Sequence, residues 1–598
     1  MEKRLSNIIY RLRLEAGLSQ QQVCQGLCSV AQFARIEQNM VPLEHFMLDR
    51  LLERLGKSAE RLEYILPVEV YKIYELRCLI QQSICHNRLT KAEELLKEYE
   101  RRKVAKKPLH LQFIEQERAQ IAWMSGEHTE TVLEHIQTAI RQSMPVEGAV
   151  RSKIALSADE MKLLLFRWEV SLGSRWERSG EEIGEMLSYI IQKGMVETEE
   201  VKVLPYLALL LGKRCDWKKE AEILEMFTRR SLSLLRSTGK LLYMPEILEQ
   251  YADLLERRGR REELAEDLRR ERKSLLEVEK EYGISFEKFR LFQHINRRFE
   301  IDYELIRRTR IAKGIPQEVL CEDICAQETL SRIESGRRKP RDKYVYELMK
   351  KMGRKASRIN TIIMTEDYEV LELKRKYFLY LHRSEEEKAA EVLEKIEQKL
   401  DTSVPENEQF ILGEQIKIQY GRKKISGREG LAALDKVLKM TVDWELCDEG
   451  KMYFTAEEHD ILNEMGAILE NQDRKKATKI FEMQIKSMEN SRVKEIFHIL
   501  EWESAMGNLG TNLEEQGQIE EAILISKNRI EVAMDAGKGN GIGRALITMA
   551  SAMDQKNDAG CTVYYFLGLD LLKLYKMEKR YQLVREYLTS DEFNSRFC

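Results

Sequence analysis

The feature that most constrains this chain is that it repeats itself at long range. The segment RLRLEAGLSQQQVCQGLCSVAQFARIEQ from Arg11 lies over RTRIAKGIPQEVLCEDICAQETLSRIES from Arg308 at a constant offset of 297 residues, without a gap. Carried on to Ser58 and Lys355, the register holds eleven identities in 48 positions, and most other positions keep their apolar character. Similarity resumes where LSADEMKLL (from Leu156) resembles FTAEEHDIL (from Phe454), and where LLERRGRREEL (from Leu254) resembles NLEEQGQIEEA (from Asn512). A repeat on this scale must be recognised before any other element is assigned. It divides the 598 residues into two tandem modules, each a short head followed by a longer array. The expected domains are 1–66, 67–298, 299–364 and 365–598.

Only 9 prolines interrupt the chain, and 33% of its residues are charged against 43% hydrophobic. Few helix breakers in a long, highly charged sequence imply helices nearly end to end, so the expected fold class is all-α. The net charge of -3 excludes general electrostatic coating of nucleic acid and leaves room only for a local basic patch. The longest apolar run, Val203 to Leu211, contains Pro205 and is far short of the roughly 20 residues a bilayer crossing needs. The expected location is therefore the cytoplasm, where ten dilute cysteines stay reduced.

Each head reads as a helix ended by a glycine (Gly17, Gly314), a second short helix, a break (GLCS, DICA) and a third helix. The apolar residues of the third helix, Phe33 with Ile36 and Leu330 with Ile333, share one face at i and i+3. That is a helix-turn-helix pattern, with one face docked on its partner and the opposite face free for a major groove. In the second head the free face carries Gln327, Glu328, Thr329 and Ser331, with Gln317 at the start of the second helix. Gln can pair bidentately with adenine, and Thr offers a hydroxyl and a methyl. After Gly336 come Arg337, Arg338, Lys339, Arg341 and Lys343, placed to contact phosphates. The first head offers Gln20, Ser29, Val30 and Gln32, a surface poorer in hydrogen-bonding groups, and has Asn39, Met40 and Val41 where the second has Gly336, Arg337 and Arg338. Residues 303–358 hold 15 basic and 8 acidic side chains, a balance of +7, whereas 6–61 hold 7 and 6, a balance of +1. The first head is thus expected to be partly degenerate. Arg13 with Glu37, and Arg310 with Glu334, read as ion pairs that join the first and third helices.

These heads resemble the phage-repressor (XRE) type of helix-turn-helix. More narrowly, GLSQQQVCQGLCSVAQFARIEQ and GIPQEVLCEDICAQETLSRIESGRRKP are similar to the heads of the peptide-sensing regulators of Gram-positive bacteria, the Rgg, PlcR and PrgX type. The resemblance implies tetratricopeptide-like repeats behind each head, a short signalling peptide as ligand (quorum sensing), double-stranded DNA as target, and homodimers. Two heads in one polypeptide depart from that family and allow a single-chain pseudo-dimer instead.

The arrays fit helix pairs of roughly 34 to 45 residues, stacked into a superhelix whose concave face suits an extended peptide or a partner helix. Side-chain amides on inner helices can hydrogen-bond the backbone of such a ligand. Asn463, Asn508 and Asn512 are the candidates in the second array, with Gln250 aligned to Asn508 in the first. Gly537, Gly539, Gly541 and Gly543 fit neither a P-loop nor a dinucleotide fingerprint and are expected to form a flexible interhelical loop. Cys24/Cys28 and Cys321/Cys325 lack further ligands at zinc spacing and read as buried thiols. No metal, cofactor or catalytic constellation is called for, so the expectation is a regulator rather than an enzyme. The competing expectation is an interaction scaffold whose heads no longer bind DNA.

Overall fold

The computed structural model describes residues 3–41, 43–144, 154–171, 176–214, 220–259, 261–292, 297–354, 363–365, 367–382, 385–442 and 454–597. Among these the fold is all-α apart from two three-residue strands, Tyr64–Leu66 and Phe299–Ile301. Among the described residues no helix is long and apolar enough to cross a membrane.

Both heads use the same four helices at the same places. Lys3–Glu15, Gln20–Cys24, Val30–Glu37 and His45–Arg54 form the first, and Asp302–Ala312, Gln317–Cys321, Gln327–Glu334 and Asp342–Lys351 the second. Every boundary from Glu15 onward recurs 297 residues later. The tight bend after the third helix needs a left-handed residue, supplied by Asn39 (φ 59°) in one head and Gly336 (φ 70°) in the other. Asn is among the few side chains that tolerate this region.

Behind the heads, five helix pairs follow in each half among the described residues. The first helices of the pairs are Val68–Cys85, Pro108–Ser125, Ala158–Ser171, Glu197–Arg214 and Met244–Arg257 in the first array. In the second they are Tyr368–His382, Pro405–Gly421, Ala456–Glu470, Ile499–Glu515 and Ile542–Gln555, with Glu578–Leu588 and Asp591–Phe597 added near the end. The pairs of the first array begin at residues 68, 108, 158, 197 and 244, a spacing of 39 to 50 residues, somewhat wider than the expected 34 to 45. This order corrects one alignment. Helix Met244–Arg257 corresponds to Ile542–Gln555, so LLERRGRREEL does not match NLEEQGQIEEA, which lies one pair earlier. The counterpart of Gln250 is therefore Thr548 and not Asn508. Packing agrees, because Gly212 lies against Gln250 as Gly510 lies against Thr548. Helix pairs of similar pattern slip by one repeat easily when only apolar spacing is compared.

Each head docks on the third pair of its own array through a helix N-terminus. Ser157 with Glu160, and Thr455 with Glu458, form reciprocal caps in which hydroxyl and carboxylate each accept a backbone N–H. The capping glutamates also take a head arginine: Arg54 donates to Glu160 (3.0 Å from Nε), and Arg354 to Glu458 (3.0 Å). Arg54 is fully buried, and its remaining donors reach the carbonyls of Val23 (2.8 Å), Gln25 (2.7 Å) and Ser143 (3.0 Å). All of its guanidinium nitrogens are thereby bonded, a geometry Lys cannot reproduce.

The two modules are joined at both ends. Near the heads, Tyr64–Leu66 pairs in parallel with Phe299–Ile301, Tyr64 opposite Phe299. One hydrophobic core runs through both heads, from Ile9 and Phe33 to Leu330 and Leu348. Asp49 lies beside this seam and accepts bonds from Tyr64 (2.7 Å), Tyr74 (2.9 Å) and Arg297 (2.7 Å). At the far end, Lys240 and Lys538 form an antiparallel bridge. Helix Glu262–Glu281 packs on its counterpart Cys561–Leu574, where Arg270 and Ser274 donate to Asp570 (2.9 and 2.7 Å). Equivalent elements meet each other, as across the two-fold axis of a homodimer.

Between the last helix of the first array and the second head, residues 282–292 form a strap across the first helices of the array. Gln120 donates to the Lys288 carbonyl (2.9 Å) and accepts from the Arg290 N–H (2.8 Å). Lys162 donates to the Phe292 carbonyl (3.3 Å), and the Tyr243 hydroxyl to that of Arg290 (2.6 Å). Phe286, Phe289 and Phe292 are buried under it.

Replacing Arg54 by Met should cost about 3–5 kcal/mol in denaturant unfolding of the first module, the range for removing one partner of a buried pair, and Arg54→Lys should cost less because it keeps the charge. Burial alone would raise the Glu160 carboxyl, yet the Arg54 and Arg50 guanidiniums hold it down at about 2, against 4.5 for the free group. Its contribution is therefore full above pH 4.5 and is lost as pH falls toward 2. Acid titration of stability should show a shallower fall over that window in Glu160→Gln than in the parent protein.

Candidate functional site

In both heads a buried carboxylate organises the third helix. Arg310 grips Glu334 with two bonds (2.6 and 2.9 Å), and its third contact is the Ile315 carbonyl (2.9 Å). Arg13 does the same to Glu37 (2.6 and 3.0 Å) and the Leu18 carbonyl (3.0 Å). The ion pairs expected from sequence thus join the first and third helices in each head. Gln317 and Gln20 have a task inside the fold: each amide donates to the same carboxylate, Glu334 (2.7 Å) or Glu37 (2.6 Å). Each carboxylate is consequently held from the first and second helices at once, which fixes how the third helix projects.

On the outer face of helix Gln327–Glu334, the side chains of Gln327, Glu328 and Ser331 are exposed and Thr329 is half-buried. Gln327 donates to Glu318 (2.5 Å), Glu328 pairs with Arg332 (2.6 Å), and Arg338 reaches back to the Thr329 hydroxyl (3.2 Å). Arg337, Arg338, Lys339, Arg341 and Lys343 are all exposed beside this face. The second head therefore presents a polar helix edge flanked by five cations on one surface.

The first head presents different chemistry on the same scaffold. Ser29 caps its third helix by accepting the Gln32 N–H (3.2 Å), so its hydroxyl is already engaged. Val30 and Met40 are 43% and 66% exposed, together with Tyr10 and Leu14 on the first helix. Gln32 and Arg35 are also exposed. Sequence reasoning passed over Arg35. Its counterpart Arg332 is occupied by Glu328, whereas Arg35 stands opposite Ala31 one turn away and has no carboxylate there. The signal was available in the aligned pair of positions, Glu328 against Ala31.

In the second array the structure brings Asn463, Asn508 and Asn512 together. Asn508 donates to Asn463 (2.9 Å), and Asn512 donates to Glu470 (2.7 Å) and to the Asn508 carbonyl (3.0 Å). Gln250 lies apart in the first array and donates to the Ala208 carbonyl (3.0 Å) and to Thr228 (2.8 Å). Amide recognition of an extended backbone does occur in the first array, but Gln120 performs it on the chain's own strap. The aromatic cluster in ISFEKFRLF was the sequence signal for that strap.

Two arginines lie close to this group: Gly507, next to Asn508, stands against Arg529, and Glu470, the Asn512 acceptor, acts on Arg544. Arg529 is 6% exposed, its Nε has no partner, and neither guanidinium forms an ion pair or hydrogen bond among the described residues. Burial pushes both below the usual arginine value, Arg544 to about 9. The glycine-rich loop expected to be flexible is instead packed. The Gly539 N–H donates to the Gly239 carbonyl (2.8 Å) at the module seam, and a Cβ on Gly543 would stand 3.0 Å from the Leu572 nitrogen. Cys24 and Cys321 are buried, Cys28 and Cys325 half-buried, and all four are free thiols. A groove of about 790 Å³ runs between the outer helices of the first array, lined by Ile191, Met226, Arg229, Arg236 and, from the second array, Lys576.

Residues 306–359 match the helix-turn-helix family. No curated protein matches the chain in sequence. Among solved structures, PlcR of Bacillus thuringiensis, in complex with the peptide PapR7 and DNA, is 19% identical; the match covers 47% of this chain and 98% of PlcR, with a TM-score of 0.33. ComR of S. thermophilus, in complex with DNA and its signalling peptide ComS, is 14% identical, covering 48% of this chain and 98% of ComR, with a TM-score of 0.30. The SHP pheromone receptor Rgg2 of Streptococcus dysgalactiae is 13% identical, covering 48% of this chain and 99% of the receptor, with a TM-score of 0.27.

If Glu334 holds the third helix, Glu334→Gln should speed amide hydrogen exchange across Gln327–Glu334 at least tenfold, while exchange in Val30–Glu37 stays unchanged. Equal acceleration in both heads would show that the shared core, and not this pair, fixes the helix.

Proposed function

We propose that the chain is a sequence-specific DNA-binding transcription regulator that works as a single-chain pseudo-dimer, its arrays sensing a short peptide or a partner protein. The observation that carries the reading is the second head: a helix-turn-helix with Gln327, Thr329 and Ser331 on an open helix edge and five exposed cations around it. In this reading Gln327 reads a base, Ser331 and Thr329 assist, and Arg337, Arg338, Lys339, Arg341 and Lys343 neutralise phosphates. Gln317 acts through Glu334, and Glu328 restrains Arg332 until DNA displaces it. The first head contributes Arg35 and Gln32, with Val30 suited to a thymine methyl, so the operator has two unequal half-sites. Because the strand pair and the common core hold the heads, ligand acts by favouring one head-to-head geometry over another, and only a ligand with different affinity for the two geometries regulates.

A second reading is favoured by one observation. The exposed Tyr10, Leu14, Val30 and Met40 give the first head an apolar surface where a DNA reader would be polar. In that reading the first head docks a protein, and only the second binds DNA. A homodimer with four heads is the other arrangement, distinguished by the mass of the protein in solution.

Selection of bound genomic fragments at moderate salt, followed by fluorescence anisotropy, tests the proposal; absence of sequence-selective retention would overturn it. Gln327→Ala should cost about 1–3 kcal/mol at one operator position, whereas Arg338→Ala should weaken all sequences alike and reduce the salt slope by about one. Inserting about half a helical turn between the half-sites should weaken binding to the intact chain if both heads read DNA. Indifference to spacing, with Arg35→Ala silent, would leave the second head as the sole reader.

A further inference from the structure

We propose that the second array contains an oxyanion-binding site built on Arg529 and Arg544, and that this array, not the first, receives the ligand. The argument begins with an internal comparison. Glu246 and Arg544 are each the third residue of equivalent helices, Met244–Arg257 and Ile542–Gln555. In the first array Glu246 has a counter-ion from within the chain: Arg290 of the strap donates to one of its oxygens (3.1 Å) and to Glu169 (2.9 Å), although the other Glu246 oxygen is buried without a partner. That inner face is occupied, and its charge is opposite to that of its occupant. In the second array the sign at this position is inverted, and among the described residues no strap covers it and the cation has no hydrogen-bond partner.

Arg529 deepens the imbalance. It lies within the Coulombic reach of Arg544, Arg580 adds a third cation acting on both, and the opposing carboxylates are Glu503 on both and Glu470 on Arg544. Glu503 is shared with Lys538, 3.9 Å away. Two glycines frame the guanidinium, since a Cβ on Gly507 would meet Arg529 at 2.7 Å and one on Gly541 at 3.3 Å. Guanidinium stays charged in proteins, so a buried one that bonds no carboxylate, among three cations and two carboxylates, is costly unless a ligand supplies further negative charge. Its fork matches the two oxygens of a carboxylate or phosphate. Arg544 is half-buried, which gives the anion a way in, and Asn508, next to Gly507 against Arg529, lies on the same helix as Asn512.

The inference rests on the ligand-sensing reading of the arrays, but its test uses no DNA, so the two fail separately. Calorimetric titration of the full chain is run with inorganic phosphate and, in parallel, with trialanine carrying either a free or an amidated C-terminus. Saturable binding of phosphate, or binding of the free peptide at least tenfold tighter than its amide, is expected, and the pattern tells a phosphate ligand from a carboxylate one. Arg544→Gln should weaken that binding at least tenfold and Arg544→Lys less so, whereas Lys273→Gln, on the exposed surface of the first array, should not change it. Arg544→Lys keeps the charge and guards against a folding defect. Failure of both probes to saturate, or unchanged affinity in Arg544→Gln, would overturn the assignment.

Discussion

The pairing of Tyr64–Leu66 with Phe299–Ile301 is the contact on which the rest of the arrangement depends. Two three-residue strands supply few hydrogen bonds, and an isolated pair of strands is marginal in water. Here the pair is buried in the core that runs through both heads, so the bonds form where water cannot compete for them. The first strand follows the first head and the second precedes the second head. Their pairing therefore sets the distance between two units separated by 297 residues of sequence. Asp49 reinforces the seam by drawing Tyr64, Tyr74 and Arg297 to one carboxylate. Without that join the heads would still be tied through the far ends of their arrays; with it, the two third helices are held in one body.

That join changes the meaning of the charge distribution. A net charge of -3 over the chain says little about partners, since a head with a balance of +7 is diluted by long arrays and a nearly neutral twin. The two heads share one internal skeleton, Arg–Glu–Gln, exchange one apolar residue for another at buried positions such as Phe33 and Leu330, and differ in chemistry on the outside. Keeping the skeleton while altering the surface is what a head needs in order to keep its fold and change what it touches. Arg35 shows how small the difference can be. Ala31 in place of the counterpart Glu328 releases an arginine that the second head keeps in an ion pair.

The heads were legible in the sequence because their helices are short, punctuated by Gly17, Gly314 and the turn cysteines, and repeated without a gap. The ion pairs at Arg13 and Arg310 followed from the same register. The arrays were legible as helix pairs but not in register, because amphipathic helices of equal length satisfy the same apolar spacing one pair out of step. That slip placed Gln250 opposite Asn508, although it packs like Thr548. The strap was missed for a different reason. Residues 282–292 have no helical period, and their three phenylalanines mark a buried segment without saying what buries it; the decisive partners, Gln120, Lys162 and Tyr243, are 47 to 170 residues away. The loop Gly537 to Gly543 misled in the opposite direction, since glycine serves close approach as readily as flexibility.

Duplicated binding modules invite the assumption that both bind the same thing. The charges argue otherwise. A pseudo-symmetric pair of arrays that met the same ligand would keep the same sign at equivalent inner positions, yet Glu246 is bonded by an arginine of its own chain and Arg544 bonds no carboxylate. A module whose inner face is filled by a covalently attached segment meets it at high effective concentration, so a free ligand competes there at a disadvantage. The strap precedes the strand of the second head in sequence, and Arg290 is held in the first array by Glu169 and Glu246. The first array is then the fixed half of the molecule, a mount for the seam, and the second is the half whose unsatisfied charge leaves something for a ligand to do. Movement in the second array reaches the heads through Arg298, which bonds Glu300 in the paired strand (3.0 Å) and Glu501 at the start of Ile499–Glu515 (2.8 Å). The helix that begins at Glu501's turn carries Asn508 and Asn512 beside the arginines, so the ligand-facing side chains and the strand that sets head spacing are separated by one rigid helix.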